Sequence, residues 1–323
     1  MARKTMPTCL VTGCAGNVGS QLTQRLLEAG YSVVGVDNFF SGSPENMRDF
    51  NQHPAFEFHE RSITDKAYMA GLLAENAPLA ATFHLAAIIS VPYSMDHAEE
   101  TMEINYDASL SLHTLARAFR CGAFVFAGSA AEYGKPLSRP ATEEDAGDPL
   151  SPYGLSKHLM STAIQKSGYG CSLRFFNIYG PTRAKPGPYD GVVRQFLART
   201  QEGLSPVIHG DGSQMRDFLF LGDAVRALLT AAGILPGGPL IGVFNVGTGR
   251  GSSIRDLADL SLRLAHVPKK PEFSPVRQGD IHFSVAENSK LLRHAGWIPS
   301  TPLEQGLALT LEGMRRLAGK TDH

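Results

Sequence analysis

The 323-residue chain has no dominant sign of charge: 30 Lys and Arg stand against 31 Asp and Glu, a net charge of -1. Nucleic acid and anionic membrane surfaces are bound by basic faces, and this balance foreshadows neither partner. Cysteine is scarce. Cys9, Cys14, Cys121 and Cys171 form no C-x-x-C pair and no metal-ligand spacing, so no metal site is expected and buried thiols in a reducing compartment fit best. No apolar run approaches the length of a membrane span. The opening MARKTMPTCLVTGCAG is broken at Thr12 and Gly13 before it can make a signal-peptide core. These absences leave a soluble, cytoplasmic protein with a small-molecule partner. At 43% hydrophobic and 19% charged residues, the composition is globular and allows one large domain or two smaller ones.

What is present first is alternation. The apolar runs TCLVTG, YSVVGVD, AFEFHE, LAATFHLAA and AFVFAGS are separated by helical patterns such as Val18, Leu22 and Leu26. Strands rich in Val, Phe and Ala with helices between them predict an α/β fold, a Rossmann-like doubly wound parallel sheet covered on both faces. After CSLRFFNIYGP, glycine and proline scatter through residues 180–213. Two late segments read as helices, one from near Ser253 and one from Pro302 with Leu303, Leu307, Leu311, Met314 and Leu317 on one face. A smaller C-terminal α/β lobe is expected there.

Between the first strand and the first helix, LVTGCAGNVGS places Gly13, Gly16 and Gly19 around Asn17 and Val18. Glycines there permit a tight turn and let a pyrophosphate approach the helix N-terminus, where free N–H groups and the macrodipole favour anions. The spacing is G-x-x-G-x-x-G. Asp37 closes the second strand, where a carboxylate takes the ribose hydroxyls of a dinucleotide. Its neighbours Asn38, Phe39 and Phe40 supply no cation for a 2′-phosphate, so NAD is expected rather than NADP.

In SPYGLSK, Ser151 suits a helix N-cap and Pro152 the first helical position. Tyr153 and Lys157 stand four apart, hence on one face, where the ammonium can draw the phenol's pKa toward the working range of a base. Alone, the pair reads better as the first turn of a surface helix. Ser129, at the carboxyl end of a strand where open α/β sheets bind ligands, brings it into a set.

Taken in order, the Gly-rich turn, Asp37, HLAA, Ser129 and Y-x-x-x-K resemble the extended short-chain dehydrogenase/reductase family. SAAEYG, LRFFNIYGP, QMRDFLFLGD, FNVGTG and RQGDIHFS look like its nucleotide-sugar branch, UDP-hexose 4-epimerases especially. The resemblance implies a catalytic set of Ser129, Tyr153 and Lys157. It implies NAD contacts from Gly13, Gly16, Asn17, Val18, Gly19, Asp37, Asn38, Ser62, Ile63, Leu85, Ala86, Ala87 and Asn105, besides Tyr153 and Lys157. It also implies UDP-sugar contacts from Ser90, Ser129, Ala130, Asn177, Val192, His209, Arg216, Arg277, Asp280 and Ser284. The planar forks of the two arginines suit a diphosphate. On this likeness residues 1–176, with a returning segment at about 223–246, form the NAD-binding domain, and 177–222 with 247–323 form the sugar-nucleotide lobe. A homodimer packed through helices near 98–119 and 152–167 is implied as well.

The chain departs from the family at several points. RSITD places Ser62 and Ile63 where an acidic residue is frequent, and His209 stands where an aromatic ring commonly stacks on uracil. In SVPYS, Tyr93 replaces the Arg usual in epimerases of N-acetylated sugars, while Ser284, four residues beyond Asp280, leaves room for an acetamido group. Relatives that dehydrate or decarboxylate carry acids directly after the strand-end hydroxyl. Here those positions are Ala130 and Ala131, and Glu132 is expected on the opposite phase of an extended segment. The reading is therefore NAD-dependent 4-epimerisation of a UDP-hexose or UDP-N-acetylhexosamine. The alternatives are a 4,6-dehydratase or decarboxylase and a net NAD(P)-dependent reductase, with a non-catalytic NAD sensor last.

Overall fold

The computed structural model describes residues 6–134, 137–182, 191–276 and 281–318. The first half runs β1 (Thr8–Thr12), α1 (Asn17–Glu28), β2 (Ser32–Asp37), β3 (Phe56–Glu60), α2 (Lys66–Asn76), β4 (Ala81–His84), α3 (Val91–Asp96) and α4 (Ala98–Met102). A π-helical turn (Glu103–Ala108) leads into α5 (Ser109–Ala118), β5 (Phe124–Ser129), α6 (Pro152–Ser167), β6 (Cys171–Phe175) and β7 (Asn177–Tyr179). Then follow α7 (Val192–Gln201), β8 (Val207–His209), β9 (Met215–Phe220), α8 (Leu221–Ala231), β10 (Gly242–Val246) and β11 (Gly251–Ser253). The last elements are α9 (Ile254–Leu264), β12 (Glu272–Ser274), β13 (Phe283–Ser284), α10 (Ser289–Ala295) and α11 (Leu303–Ala318).

Seven strands form one parallel sheet in the order β10-β6-β5-β4-β1-β2-β3. The chain winds outward from β1 to β3, then returns to β4 on the other side of β1. That reversal opens a crevice at the carboxyl ends of β1 and β4, where doubly wound sheets bind ligands. Alternation along each strand feeds two buried layers. Cys9, Val11 and Val125 pack with Leu22 and Leu26 of α1, Ala224 and Leu228 of α8, and Leu291 and Ala295 of α10. Leu10, Val34, Phe124 and Phe126 pack with Leu72 of α2, Leu112 of α5, and Met160 and Ile164 of α6. Each Val, Leu, Ile, Phe or Met among them contributes about 1.5–3 kcal/mol on burial. Residues 289–295, placed by their sequence in the lobe, thus pack into the large sheet's core.

The remaining strands are short. β9 takes β11 antiparallel on one edge and β13 and β7, both parallel, at successive points along its length. β8 pairs with β12. Phe196 and Leu197 of α7, Leu257 of α9, and Leu307 and Leu311 of α11 close a separate core over Phe218 and Ile208. All four cysteines are buried and free. Among the described residues no helix is long and apolar enough to cross a membrane, and no group of three His, Cys, Asp or Glu could hold a metal.

Candidate active site

Gly13 has φ +75°, and a Cβ there would lie 2.7 Å from the Ala86 nitrogen. A Cβ on Gly19 would stand 2.0 Å from the Gly13 carbonyl oxygen, so α1 lies directly on the turn only because both positions are glycine. Gly16 is the N-cap of α1, and among the described residues no side chain caps that helix. Its first-turn N–H groups, around Asn17 and Val18, remain for an anion. Asp37, 8% exposed, accepts from Ala15 N at 2.9 Å and from Phe39 N at 2.8 Å. Phe39 adopts φ 58°, which folds the following loop back over the carboxylate, and Asn38 accepts from Phe40 N. Burial raises the carboxyl pKa while these N–H donors oppose the rise. A glycine cradle, an uncapped helix start and a strand-end carboxylate fit the pyrophosphate and ribose of NAD. Ser62, hydrogen-bonded to Thr64, and buried Ile63 form the loop entering α2.

Beyond β4, the amides of Leu85 and Ala86 donate to Thr12 Oγ1 at 3.2 and 3.3 Å, setting the course of the loop that continues to Ala87. Thr12 Oγ1 is also 2.7 Å from His84 Nδ1, and His84 Nε2 is 2.7 Å from Ser109 Oγ. With its oxygen accepting from two amides, Thr12 gives its proton to Nδ1, so Nε2 carries the ring proton and donates to Ser109. Full burial holds His84 neutral, its pKa lowered to about 3. Asn105 requires a correction. It is wholly buried in the π-helical turn, and its amide exchanges two 2.8 Å bonds with the backbone of Ile88. Both polar atoms of its side chain are thus committed to the loop that follows β4.

Ser129 ends β5 in register with Phe175 of β6. Its Oγ accepts from Ala131 N at 3.1 Å. Ser151 caps α6 by accepting from Gly154 N, Pro152 stands in the first turn, and Gly168 at φ 64° stops the helix. This helix brings Tyr153 beside Ser129, whose hydroxyl acts to lower the phenol's pKa. Lys157 Nζ lies 5.9 Å from the Tyr153 ring centroid, 4.6 Å from that of Phe126, and donates to Ala127 O at 2.8 Å. The expected depression of the phenol by Lys157 is not realised in the chain alone. Burial pushes Tyr153 up, with neighbouring Ser129 opposing, and burial brings Lys157 down to about 8. A second correction concerns Glu132. The segment after Ser129 is a 3-10 turn, Ala130–Tyr133, which carries Glu132 inward to complete burial.

On the lobe side, Arg216 of β9 and Ser284 of β13 are register partners. Arg216 Nη1 donates to Met215 O at 2.9 Å. Ala130 and Ser284 line one cavity with Tyr133, Phe176 and Phe283, so the turn after Ser129 and the lobe meet there. Asn177 is exposed at the start of β7, Val192 begins α7, and His209 ends β8 with Nδ1 3.3 Å from Pro275 O. Ser90 caps α3, its Oγ accepting from Tyr93 N at 3.1 Å. The Tyr93 ring stacks on His97 at 4.0 Å, and its hydroxyl donates to Glu100. Arg277 and Asp280 lie outside the described residues. Sequence reasoning missed Asp217, which is wholly buried on β9 and accepts from Thr248 N and Oγ1, Gly249 N and Ala286 N. An acid within the apolar run RDFLF was the available signal.

The pattern of the NAD dependent epimerase/dehydratase family matches residues 9–247, and the chain belongs to that family. Its similarities are to enzymes of nucleotide sugars. It is 37% identical over 314 residues to the UDP-glucose 4-epimerase of Mycolicibacterium smegmatis, covering 95% of this chain and 98% of that protein. It is 32% identical to the UDP-N-acetyl-alpha-D-glucosaminuronate decarboxylase of Bacillus cytotoxicus, covering 96% and 98%. Among solved structures, the UDP-glucose 4-epimerase of Thermotoga maritima with UDP-glucose superposes with a TM-score of 0.88 at 33% identity, covering 96% of this chain and 99% of that one.

Proposed function

We propose that the chain is an NAD-dependent UDP-sugar 4-epimerase acting on UDP-hexoses, UDP-N-acetylhexosamines or both. The observation that carries the reading is the placing of Tyr153 beside Ser129, with Lys157 one turn on and Ala130 and Ala131, not acids, directly after Ser129. Gly13, Gly16 and Gly19 would hold the pyrophosphate of NAD, and Asp37 the adenosine ribose. When bound, NAD supplies a hydride acceptor that returns the hydride to the same carbon. Tyr153 takes the proton from sugar O4, and the Lys157 ammonium favours the phenolate that does so. Ser129 hydrogen-bonds the same oxygen and holds it against the phenol. The 4-keto sugar turns within the site, and Tyr153 then returns the proton to O4 of the inverted carbon. With alanines directly after Ser129, the positions that would protonate a leaving hydroxyl carry no carboxyl group. Arg216, with Arg277, would grip the diphosphate, while Asn177, Val192, His209 and Ser90 would line the path of the nucleotide and sugar.

The reading places NAD binding in residues 1–176 with the return at about 223–246, sugar-nucleotide binding in the rest, and a second copy of the chain against the helices near 98–119 and 152–167. Leu155, 41% exposed on α6, suits such a contact. Work in the cytoplasm is part of the same reading, and four buried free cysteines suit a reducing compartment. Purified protein incubated with a panel of UDP-sugars and no added cofactor is expected to interconvert gluco and galacto epimers, followed by proton NMR. Loss of water or carbon dioxide from the sugar, or a demand for stoichiometric reduced cofactor, would overturn it.

A further inference from the structure

Glu132 is the one acid in the turn that follows Ser129, and its carboxylate is divided between two partners. Oε1 accepts from Ser129 N at 2.9 Å, and Oε2 accepts from Arg174 Nε at 2.6 Å. Both side chains are buried, Glu132 at 0% and Arg174 at 4% exposure. Gly128 makes the approach possible, since a Cβ there would stand 2.8 Å from Glu132 Oε1. Arg174 is itself anchored. Its Nη1 donates to Glu143 O at 2.7 Å, and its guanidinium lies 5.3 Å from the Tyr133 ring centroid. Glu143 in turn accepts from Asn245 N, and Tyr133 donates to Asn245 Oδ1. The cluster therefore ties the ends of β5, β6 and β10 together directly behind the hydroxyl that faces the substrate.

Desolvating two charges costs about as much as their attraction returns, and an apolar pair of similar volume often stabilises a fold as well. Stability alone does not account for an ion pair at this place. We propose that Glu132, held by Arg174, is a positioning residue for the reaction at Ser129 and Tyr153. It fixes the Ser129 backbone, and with it the hydroxyl that accepts from Ala131 N. Its negative charge also sits behind the catalytic pair. The ionisable groups around it are Arg174 on β6, Tyr133 in its own turn, Glu143 in the turn at Glu143–Asp145, and Tyr153 and Lys157 on α6. Toward α6 the charge favours the Lys157 ammonium and opposes the Tyr153 phenolate, so it moves both pKa values upward.

The inference rests on the epimerase reading, and the test separates the two. kcat is measured against pH for the holoenzyme carrying wild-type Glu132, Glu132→Gln or Glu132→Asp. Tyr153 ionisation is read in parallel, without substrate, as the ultraviolet difference between each protein and its Tyr153→Phe counterpart. In Glu132→Gln the acid limb, set by the phenol, and the alkaline limb, set by the ammonium, both move toward lower pH by about half to one unit. The Tyr153 titration moves the same way. Glu132→Asp keeps the charge but withdraws the acceptor from Ser129 N, so turnover falls about tenfold with both limbs in place. An unshifted profile and phenol titration in Glu132→Gln, or full turnover in Glu132→Asp, overturns the proposal. If Glu132→Gln does not fold, as a melting curve shows, the Glu132→Asp arm decides. Wild type that epimerises no UDP-sugar fails the functional reading, while the phenol titration still tests Glu132.

Discussion

Ser129 closes β5, which pairs with β6 from Val125 to Ser129 and with β4 from Phe124 to Phe126, and Thr12 is flanked by Val36 on one side and His84 on the other. Arg216 stands on a six-residue strand whose partners, β11, β7 and β13, are three, three and two residues long. The large sheet fixes its site residues through continuous pairing and buried polar side chains such as Glu132, His84 and Asn105. The lobe relies on fragments of register and on Asp217, which gathers Thr248, Gly249 and Ala286 onto β9. Proton transfer tolerates misplacement of only about half an ångström, whereas gripping a diphosphate through a long arginine tolerates more. The rigid half is thus suited to the reaction and the lobe to choosing what reacts.

Breaking each half should therefore disturb a different quantity. The largest effect is expected from Tyr153→Phe, which removes the proton acceptor while the ring still packs. kcat should fall by about 10²–10⁴-fold with KM nearly unchanged, measured with UDP-glucose. Near-normal turnover would remove the assignment of the base.

Asp217→Ala strikes the lobe. Four donors lose a buried acceptor, so urea unfolding should show a loss of about 2–4 kcal/mol. In the enzyme that remains, KM should rise more than kcat falls, because β9 also carries Arg216. Equal damage to kcat would mean that the lobe positions the chemistry too, and the contrast between the halves would fail.

A smaller effect concerns Asp37. Its carboxylate repels a 2′-phosphate, so calorimetry should find NAD bound about 100-fold more tightly than NADP, or about 2.7 kcal/mol. Tighter NADP binding would show that the loop after β2 is misread.

His84 sharpens the comparison through pH. Its pKa is about 3 in the fold against 6.5 in the ordinary state, so between those values the unfolded chain binds more protons. Stability is lost as pH falls from 6.5 toward 3, by up to about 1.4 kcal/mol per unit. Denaturant titrations should give a shallower acid slope in His84→Asn than in wild type. Identical slopes would exclude His84 as a neutral buried link between β1, β4 and α5.

The residues legible in sequence were those whose job is local. Gly13 and Gly19 are required by a turn that no Cβ fits, Ser151 and Pro152 start a helix by their own chemistry, and Asp37 and Ser129 end strands that announce themselves by composition. Residues that act across the fold were harder. Asn105 was read as a cofactor contact because nothing local shows that a π-helical turn sinks its amide against Ile88, 17 positions earlier. Glu132 was put on the wrong face because period-2 reasoning assumed the strand ran past Ser129. Yet Ser129 and Glu132 make a capping box, and S-x-x-E is its sequence signature. The partner Arg174 lies 42 positions away, and no spacing rule connects them.

The smallest and most selective effect is expected at Ser284. It is half-buried on β13, pairs in register with Arg216, and shares a cavity with Ala130 and Phe176. A larger side chain there would reach the turn after Ser129 across that cavity. Serine leaves that space open, and open space admits a larger substituent without strongly rejecting a smaller one. Wild type should therefore turn over UDP-GlcNAc or UDP-GalNAc alongside UDP-glucose and UDP-galactose. Ser284→Tyr fills the cavity from the lobe side and leaves Ser129, Tyr153 and Lys157 untouched. Its kcat/KM should fall about tenfold or more for the acetylated sugars and less than about threefold for the others. Such a split would locate selectivity in the lobe and chemistry in the sheet. If both classes fall together, or if wild type accepts no acetylated sugar, the residue at 284 does not set the choice.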